Sequence, residues 1–531
     1  GVPGAWLGAA LWALHPVQVE SVAWISELKN TQSAVFFLSA VWWFLGWSDS
    51  EGRRDCYVSA LVCAVFAVLS KPSAVMLPIA LALCVWWRRG TVRRRDILVL
   101  APFFALSAIV SGWTIWEQKF HSGAVGVEWN QTFPERLAIA GRAVWFYLGS
   151  LVWPDSLNFI YPRWEIDAVR PLAFLPLAAA LGVAVFLWHR RNGWLRPVFF
   201  AAAFFVALLF PVLGFFNIYF FRYSFVSDHF QYLASIGPVA LAGAAVVRLA
   251  PRRAVAVASA ILIVFAGLTW CHSTDFTDNE TLWRTTLARN ATANMAWLNL
   301  GASLAKQGRD DEAISSFLRA AAIRPDDAEA RNDAGWGLIA AGYPAAAIPL
   351  LEHVLRFKPE HAEAHNNLGN ALRKLGRLEE ALTHYARSLE LRPNSADARN
   401  NLGGALAGLA RLPEAISQFE NALRLAPDFV PAQANLGTAL GLAGRWADAV
   451  GPLQEAARLQ PDYPDAQAKL AVALANTGRP GEAVLHFENA LRQNRDAAEI
   501  HRNFGQVLES LGRTREAAEH FDAATRRQRG R

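Results

Sequence analysis

The chain has 531 residues, with 51 Lys and Arg against 45 Asp and Glu and a formal net charge of +6, and is long enough for at least two folding units. No basic stripe interleaved with aromatic residues runs along it, so nucleic acid is not its expected partner. Its four cysteines, Cys56, Cys63, Cys84 and Cys271, form no CxxC pair and predict neither a disulfide framework nor a metal site.

The average composition hides two unlike halves. Residues 1–271 hold nearly all the Trp and Phe, in long apolar runs broken by short basic loops, while 294–531 are rich in Ala, Leu, Asn, Glu and Arg. The chain opens at Gly1 inside an apolar run, which predicts a fragment whose true N-terminus lies upstream. A bilayer core of about 30 Å needs roughly 20 apolar helical residues, fewer inside a bundle. Candidate spans are 1–14, 31–47, 57–70, 73–87, 97–115, 171–188, 197–214, 233–249 and 254–271. Lys71-Pro72 parts two short runs and predicts a hairpin turn near one surface. Residues 136–153 carry Arg136 and Arg142, which leave only 143–153 uncharged and predict a re-entrant or interfacial helix.

Direction follows from the basic loops. Segments 48–56, 88–96, 189–196 and 250–253 hold 12 Lys and Arg in 30 residues, whereas 15–30, 71–72, 116–135, 154–170 and 215–232 hold 6 in 73. The first set is expected to face the cytoplasm. The second set, and everything after residue 271, then shares the opposite face. That face gathers three polar segments: His15 to Glu20, running on through Trp24 to Asn30; Ser70-Lys71-Pro72; and Arg222 with Ser227-Asp228-His229-Phe230-Gln231-Tyr232. His15, Glu20, Lys71, Arg222, Asp228, His229 and Tyr232 are the candidate pocket residues. Carboxylates, an imidazole and cations together suit a lipid-phosphate sugar donor, with cations on phosphate and a carboxylate taking a proton from an acceptor hydroxyl. The plainer alternative is a set of interfacial loop polars inside an aromatic belt.

Residues 272–293 predict a connector with a lone helix. From 294 a period of 34 residues appears in Pro325, Pro359, Pro393, Pro427 and Pro461, in Gly335, Gly369, Gly403 and Gly437, and in Ala313, Ala347, Ala381, Ala415 and Ala449. Seven units fit from 294 to 531. Small residues let two antiparallel helices touch, Leu and aromatic residues fill the shared core, and the proline is expected to end each second helix. The pattern is identified as tetratricopeptide (TPR) repeats. Asn299, Asn367, Asn401, Asn435 and Asn503 recur at one position and are the candidate peptide-groove residues, because an amide offers a donor and an acceptor to an extended backbone; asparagine is also simply common there. The arrangement resembles the asparagine-lined repeats of the cytosolic O-GlcNAc transferase, whose catalytic domain has no counterpart here.

HPVQVESVAWISELKN, SKPSAVMLPIALAL, SDHFQYLASIG and DNETLWRTTLARN together resemble the polytopic membrane proteins with C-terminal TPRs, of which the transmembrane-and-TPR O-mannosyltransferases and their bacterial relatives are members. The resemblance covers essentially the whole chain. It implies an all-α protein, a GT-C-type membrane bundle followed by a TPR solenoid, and a polyprenyl-phosphate sugar as donor substrate. It further implies transfer of a mannose-like sugar to protein Ser or Thr on the periplasmic or lumenal face, with a bacterial inner membrane as the expected setting. Membrane lipid and a protein or peptide in the groove are the implied partners, without a further cofactor. Asp228 and His229 would sit near the donor phosphate, Lys71 would bind it, and His15 and Glu20 would shape the pocket. The family's acidic pair, one of which is its presumed base, would lie upstream of Gly1. His229-Phe230 stands where the family has Arg-Tyr, and Leu28 where it has Arg. The rival expectation is a non-catalytic membrane-anchored TPR scaffold for envelope complexes.

Overall fold

The computed structural model describes residues 4–24, 27–49, 53–122, 124, 129–494 and 496–529. Helices and short 3-10 turns are the only regular elements among them. The chain divides into two compact units, Gly1–Ser303 and Leu304–Arg531.

The first unit contains α1 (Ala5–Ala13), α2 (Val19–Ala23), α3 (Leu28–Asp49), α4 (Arg54–Ser70), α5 (Leu77–Arg89), α6 (Arg94–Phe120) and α7 (Phe133–Val152), then α8 (Leu175–Arg190), α9 (Arg196–Leu209), α10 (Ile236–Leu249), α11 (Ala254–Ser273) and α12 (Asn279–Arg289). Small residues set one of its close crossings. A Cβ on Gly8 would stand 3.0 Å from Ala240 Cα and one on Gly243 would stand 2.6 Å from Gly8 N, so α1 and α10 touch backbone to backbone, as helices packed through small residues do. Among the described residues, three stretches are long and apolar enough to cross a bilayer: Arg94–Phe120, Pro171–Arg190 and Ala254–Phe276. The last exposes its apolar side chains, with Val255 at 82%, Ile263 at 71% and Trp270 at 76%; water is a poor solvent for such a surface and hydrocarbon a good one. The remaining expected spans differ in length. Helices α1 and α5 have 9 and 13 residues, about 14 and 20 Å at 1.5 Å per residue.

The arginines of 136–153 do not shorten its helix. Helix α7 runs unbroken for 20 residues, roughly 30 Å. Arg136 donates to the carbonyls of Gly214 (2.8 Å) and Trp129 (3.0 Å) and to Asn217 Oδ1 (2.7 Å), while the Arg142 guanidinium lies over the Trp164 ring at 4.6 Å. Carbonyl, amide and ring partners, most of them from other loops, solvate the charges that the charge count treats as a break. The connector helix α12 buries Leu282, Trp283 and Leu287. Trp283 meets Phe159 (5.5 Å) and Trp24 (6.1 Å), and Arg289 donates to the Leu157 carbonyl (2.8 Å).

Helix α13 (Asn294–Lys306) holds the boundary between the units. The second unit continues through α14 (Asp310–Ile323), α15 (Ala328–Ala340), α16 (Pro344–Phe357), α17 (Ala362–Lys374), α18 (Leu378–Leu391), α19 (Ala396–Gly408), α20 (Leu412–Leu425), α21 (Val430–Leu442), α22 (Trp446–Leu459), α23 (Pro464–Asn476), α24 (Pro480–Gln493), α25 (Ala498–Ser510) and α26 (Thr514–Arg529). Phe317, Tyr385, Phe419 and Phe487 are fully buried between paired helices. The repeat glycine is the reason they fit: a Cβ at Gly369 would lie 2.7 Å from Tyr385 Cε1, and one at Gly403 2.7 Å from Phe419 Cε1. The turn within each pair needs a left-handed residue, supplied by glycine at 308, 342, 376, 444, 478 and 512; in the fourth repeat Ala410 takes that place at φ 58, a conformation unfavourable to any residue with a Cβ. The repeat proline does not itself stop the second helix. Helix α24 ends at Gln493 without one, and its cap Asn494 (φ −133, ψ 82) matches Arg392 (φ −133, ψ 84), the cap before Pro393. The proline carbonyl has a further use, accepting from Nε2 of His365 (3.1 Å), a guanidinium nitrogen of Arg399 (2.9 Å), and Nε2 of Gln433 (3.1 Å) and Gln467 (3.2 Å) in successive repeats.

Candidate functional site

Three loops of the first unit meet in a buried polar cluster. The 3-10 turn Asp228–Gln231 and helix α2 bring Glu20 Oε1 to 2.6 Å from His229 Nδ1. Ser227 Oγ lies 2.8 Å from the same nitrogen and donates to Glu20 Oε2 at 3.4 Å, and the His229 backbone N–H donates to that oxygen at 3.3 Å. Burial, with the charge of Glu27 adding to it, pushes the Glu20 carboxyl up to about 8. Burial pushes His229 down to about 3. Burial thus works against the charged form of each group.

Lys71 follows the end of α4, where an extended backbone (φ −151) turns it inward. Its ammonium reaches Glu27 Oε2 at 3.4 Å and donates to Asn30 Oδ1. Burial lowers it to about 8, Glu27 working in the opposite direction. Burial also opposes ionisation of Glu27, but the neighbouring His229, Lys71 and Lys29 outweigh it and hold this carboxyl below its ordinary value. Asp228 accepts from the Tyr161 hydroxyl at 2.9 and 3.0 Å; burial, then the Glu20 charge, raises it well above its ordinary value.

The other candidates take different places. His15 caps the turn Pro16–Gln18, its Nδ1 accepting from the Val17 N–H (3.3 Å) and its Nε2 donating to the Leu151 carbonyl (2.9 Å). Tyr232 is buried edge-on against Trp12 at 4.9 Å. Arg222 ends the half-buried turn Tyr219–Arg222. Tyr161 is a member that residue-type reasoning passes over, since a lone tyrosine in loop 154–170 carries no motif; its only sequence signal is that this loop was expected on the same face. Gln18 Oε1, Gln231 Oε1 and Asn158 Oδ1 are buried acceptors with no donor among the described residues. The space beside Lys71, His229 and Tyr232 is about 10 Å³, room for one water. The cluster can hold and pass protons.

In the repeats, the asparagines pair across neighbouring units. Asn367, Asn401 and Asn435 donate to the Oδ1 of Asn332 (3.0 Å), Asn366 (3.1 Å) and Asn400 (2.9 Å). Asn299 instead donates to the Met295 carbonyl of its own helix (2.9 Å), and Asn503 is half-buried on α25. The ladder needs an acceptor one position earlier in the preceding repeat. For Asn503 that residue is Ala468, so no such bond forms there. The signal was present in the dipeptides Asn366-Asn367 and Asn400-Asn401. A groove of about 480 Å³ opens between α18, α19 and α20, lined by Leu382, Ala386, Leu402, Leu406, Pro413 and Ser417 and including the Arg411–Glu414 ion pair. Trp336 on α15 is 58% exposed.

These helix pairs make the C-terminal half a TPR array. Tetratricopeptide repeat families match residues 360–428 and, for a second variant, residues 273–328, 400–464, 434–488 and 468–531. Among solved structures, the chain is similar to YrrB, described as a TPR protein with an unusual peptide-binding site, at 28% identity over 34% of this chain and 92% of that one, with a TM-score of 0.30. PilF of Pseudomonas aeruginosa (21% identity, 37% and 90% covered, TM-score 0.34) and PilW, a type IV pilus biogenesis factor (22%, 36% and 90%, TM-score 0.35), are also similar. No curated protein matches the chain.

Proposed function

We propose that the chain is a membrane-anchored TPR scaffold that gathers protein partners outside the cytoplasm, with the repeats as the binding surface and the apolar first unit as the anchor. The observation that carries this reading is the contrast in accessible space. The groove between α18 and α20 offers about 480 Å³, within the range of ligand sites, while the cavity beside Lys71, His229 and Tyr232 is about 10 Å³. The distribution of basic loops supports the orientation, and the outward-facing apolar side chains of α11 support the anchor. Overlaying the full chain, in detergent, on an array of envelope-protein peptides tests the binding role. Discrete peptides are expected to bind, and Ala386→Glu with Ser417→Arg, both at exposed positions in the groove, should abolish the signal. Equal binding by the variant, or no binding above background, sinks the scaffold reading.

A second reading, transfer of a sugar from a polyprenyl-phosphate donor to protein Ser or Thr by a GT-C-like bundle, is favoured by one observation: Glu20, Glu27, Lys71, Asp228 and His229 come together from loops far apart in sequence. Transfer by the full-length protein that is lost in Asp228→Asn would establish it; transfer unchanged by that substitution would remove Asp228 from the site.

A further inference from the structure

The third, fourth, sixth and seventh helix pairs of the array have a polar seam between the fourth residue of the first helix and the residue 19 positions later on the second. In the fourth repeat it is Arg399 with Gln418 (3.4 Å), and in the sixth His486 Nδ1 with Gln467 Oε1 (2.7 Å). The third and seventh repeats place histidine at both positions: His365 Nδ1 stands 3.0 Å from His384 Nδ1, and His501 Nδ1 2.8 Å from His520 Nδ1. Other residues make the same seam, so packing alone does not require the paired imidazoles.

We infer that these two histidine pairs are bidentate sites for a divalent transition metal of the nickel or copper class. Two imidazole nitrogens bound at about 2.0–2.1 Å and separated by 3.0 or 2.8 Å subtend about 90° at the metal. That is the cis angle of square-planar or octahedral Ni(II) and Cu(II). A tetrahedral zinc site would need the nitrogens about 3.3 Å apart. The tautomer of His365 is already set for ligation. Its Nε2–H donates to the Pro359 carbonyl at 3.1 Å, leaving the Nδ1 lone pair facing His384, and a ligating imidazole anchored through its other nitrogen to a backbone carbonyl is the usual outer-shell arrangement. Four residues before His384 and His520 on the second helices, Glu380 is paired with Arg377 (2.6 Å) and Glu516 with Arg513 (2.6 Å). Water would fill the remaining positions. The proton now lying between the two Nδ1 atoms of each pair is displaced, and the imidazole that held it takes one from solvent on Nε2, so both ligands bind as neutral imidazoles with no net proton release.

Ni(II) titration of the full chain in detergent, read by calorimetry and visible absorption, tests this. Two nickel ions per chain are expected above whatever His365→Gln with His501→Gln retains, bound at least about tenfold tighter than that residual. Each single substitution should remove one ion. Glutamine keeps the seam, as Gln467 with His486 shows, so these variants should remain folded, and the far-ultraviolet circular dichroism checks that they do. Equal nickel binding by the double variant and the parent would mean that each contact is a hydrogen bond only, and would overturn the assignment.

Discussion

Two adjacent glycines on α19 predict opposite effects of the same substitution. A Cβ at Gly403 would stand 2.7, 2.9 and 3.0 Å from Cε1, Cδ1 and Cζ of Phe419, whereas one at Gly404 would meet nothing within 4 Å. Phe419 is 1% exposed, so its ring has nowhere to retreat. Overpacking of this kind costs about 1–3 kcal/mol, against a gain of roughly 1 kcal/mol from replacing a helical glycine by alanine. Gly403→Ala should therefore destabilise the fourth repeat by about 1–2 kcal/mol at the upper half of that overpacking range, and Gly404→Ala should stabilise it by about 0.5–1 kcal/mol. Because stability in a repeat array is local, the assay is hydrogen–deuterium exchange of peptides covering 396–425 in the full chain. Slower exchange in the first variant, or the same direction of change in both, would refute the assignment of Gly403 to the helix contact and Gly404 to the open face.

Three further outcomes follow from single sites. Ala410→Gly relieves a left-handed alanine (φ 58) and should slow exchange in the same peptides, corresponding to about 1 kcal/mol; faster exchange would contradict a strained turn. Asn400→Leu removes the acceptor for Asn435 and should cost about 1–2 kcal/mol by leaving a half-buried amide unpaired; an unchanged urea midpoint would show that the ladder does not hold the repeats together. Glu20 supplies a pH test. Its carboxyl is raised from 4.5 to about 8 in the folded chain, so between those values the unfolded chain has released a proton that the folded chain keeps, and stability falls as pH rises. Glu20→Gln should flatten that limb of a Tm-against-pH profile in detergent, and a slope identical to the parent's would place the titration elsewhere.

Periodicity made the repeat half legible from residues alone. Small, large and turn-forming residues recur every 34 positions because every helix pair solves the same packing problem, and the buried Phe317, Tyr385, Phe419 and Phe487 occupy the places that period assigns. The loops carrying Glu20, Lys71 and His229 were marked by their polarity between apolar runs, but polarity carries no distance. That Glu20 meets His229 at 2.6 Å, that Tyr161 bonds Asp228, and that the cavity beside Lys71, His229 and Tyr232 is about 10 Å³ depend on how helices remote in sequence cross, which no local pattern encodes. The same holds for α7, where carbonyls from other loops receive the arginine charges that a linear charge count treats as the end of a helix. The partners of the asparagine ladder belong to this second class too. Their identity was written in Asn366-Asn367 and Asn400-Asn401, but only the stacking of one helix pair on the next, which brings a donor to an acceptor 35 residues earlier, decides that these amides bind each other.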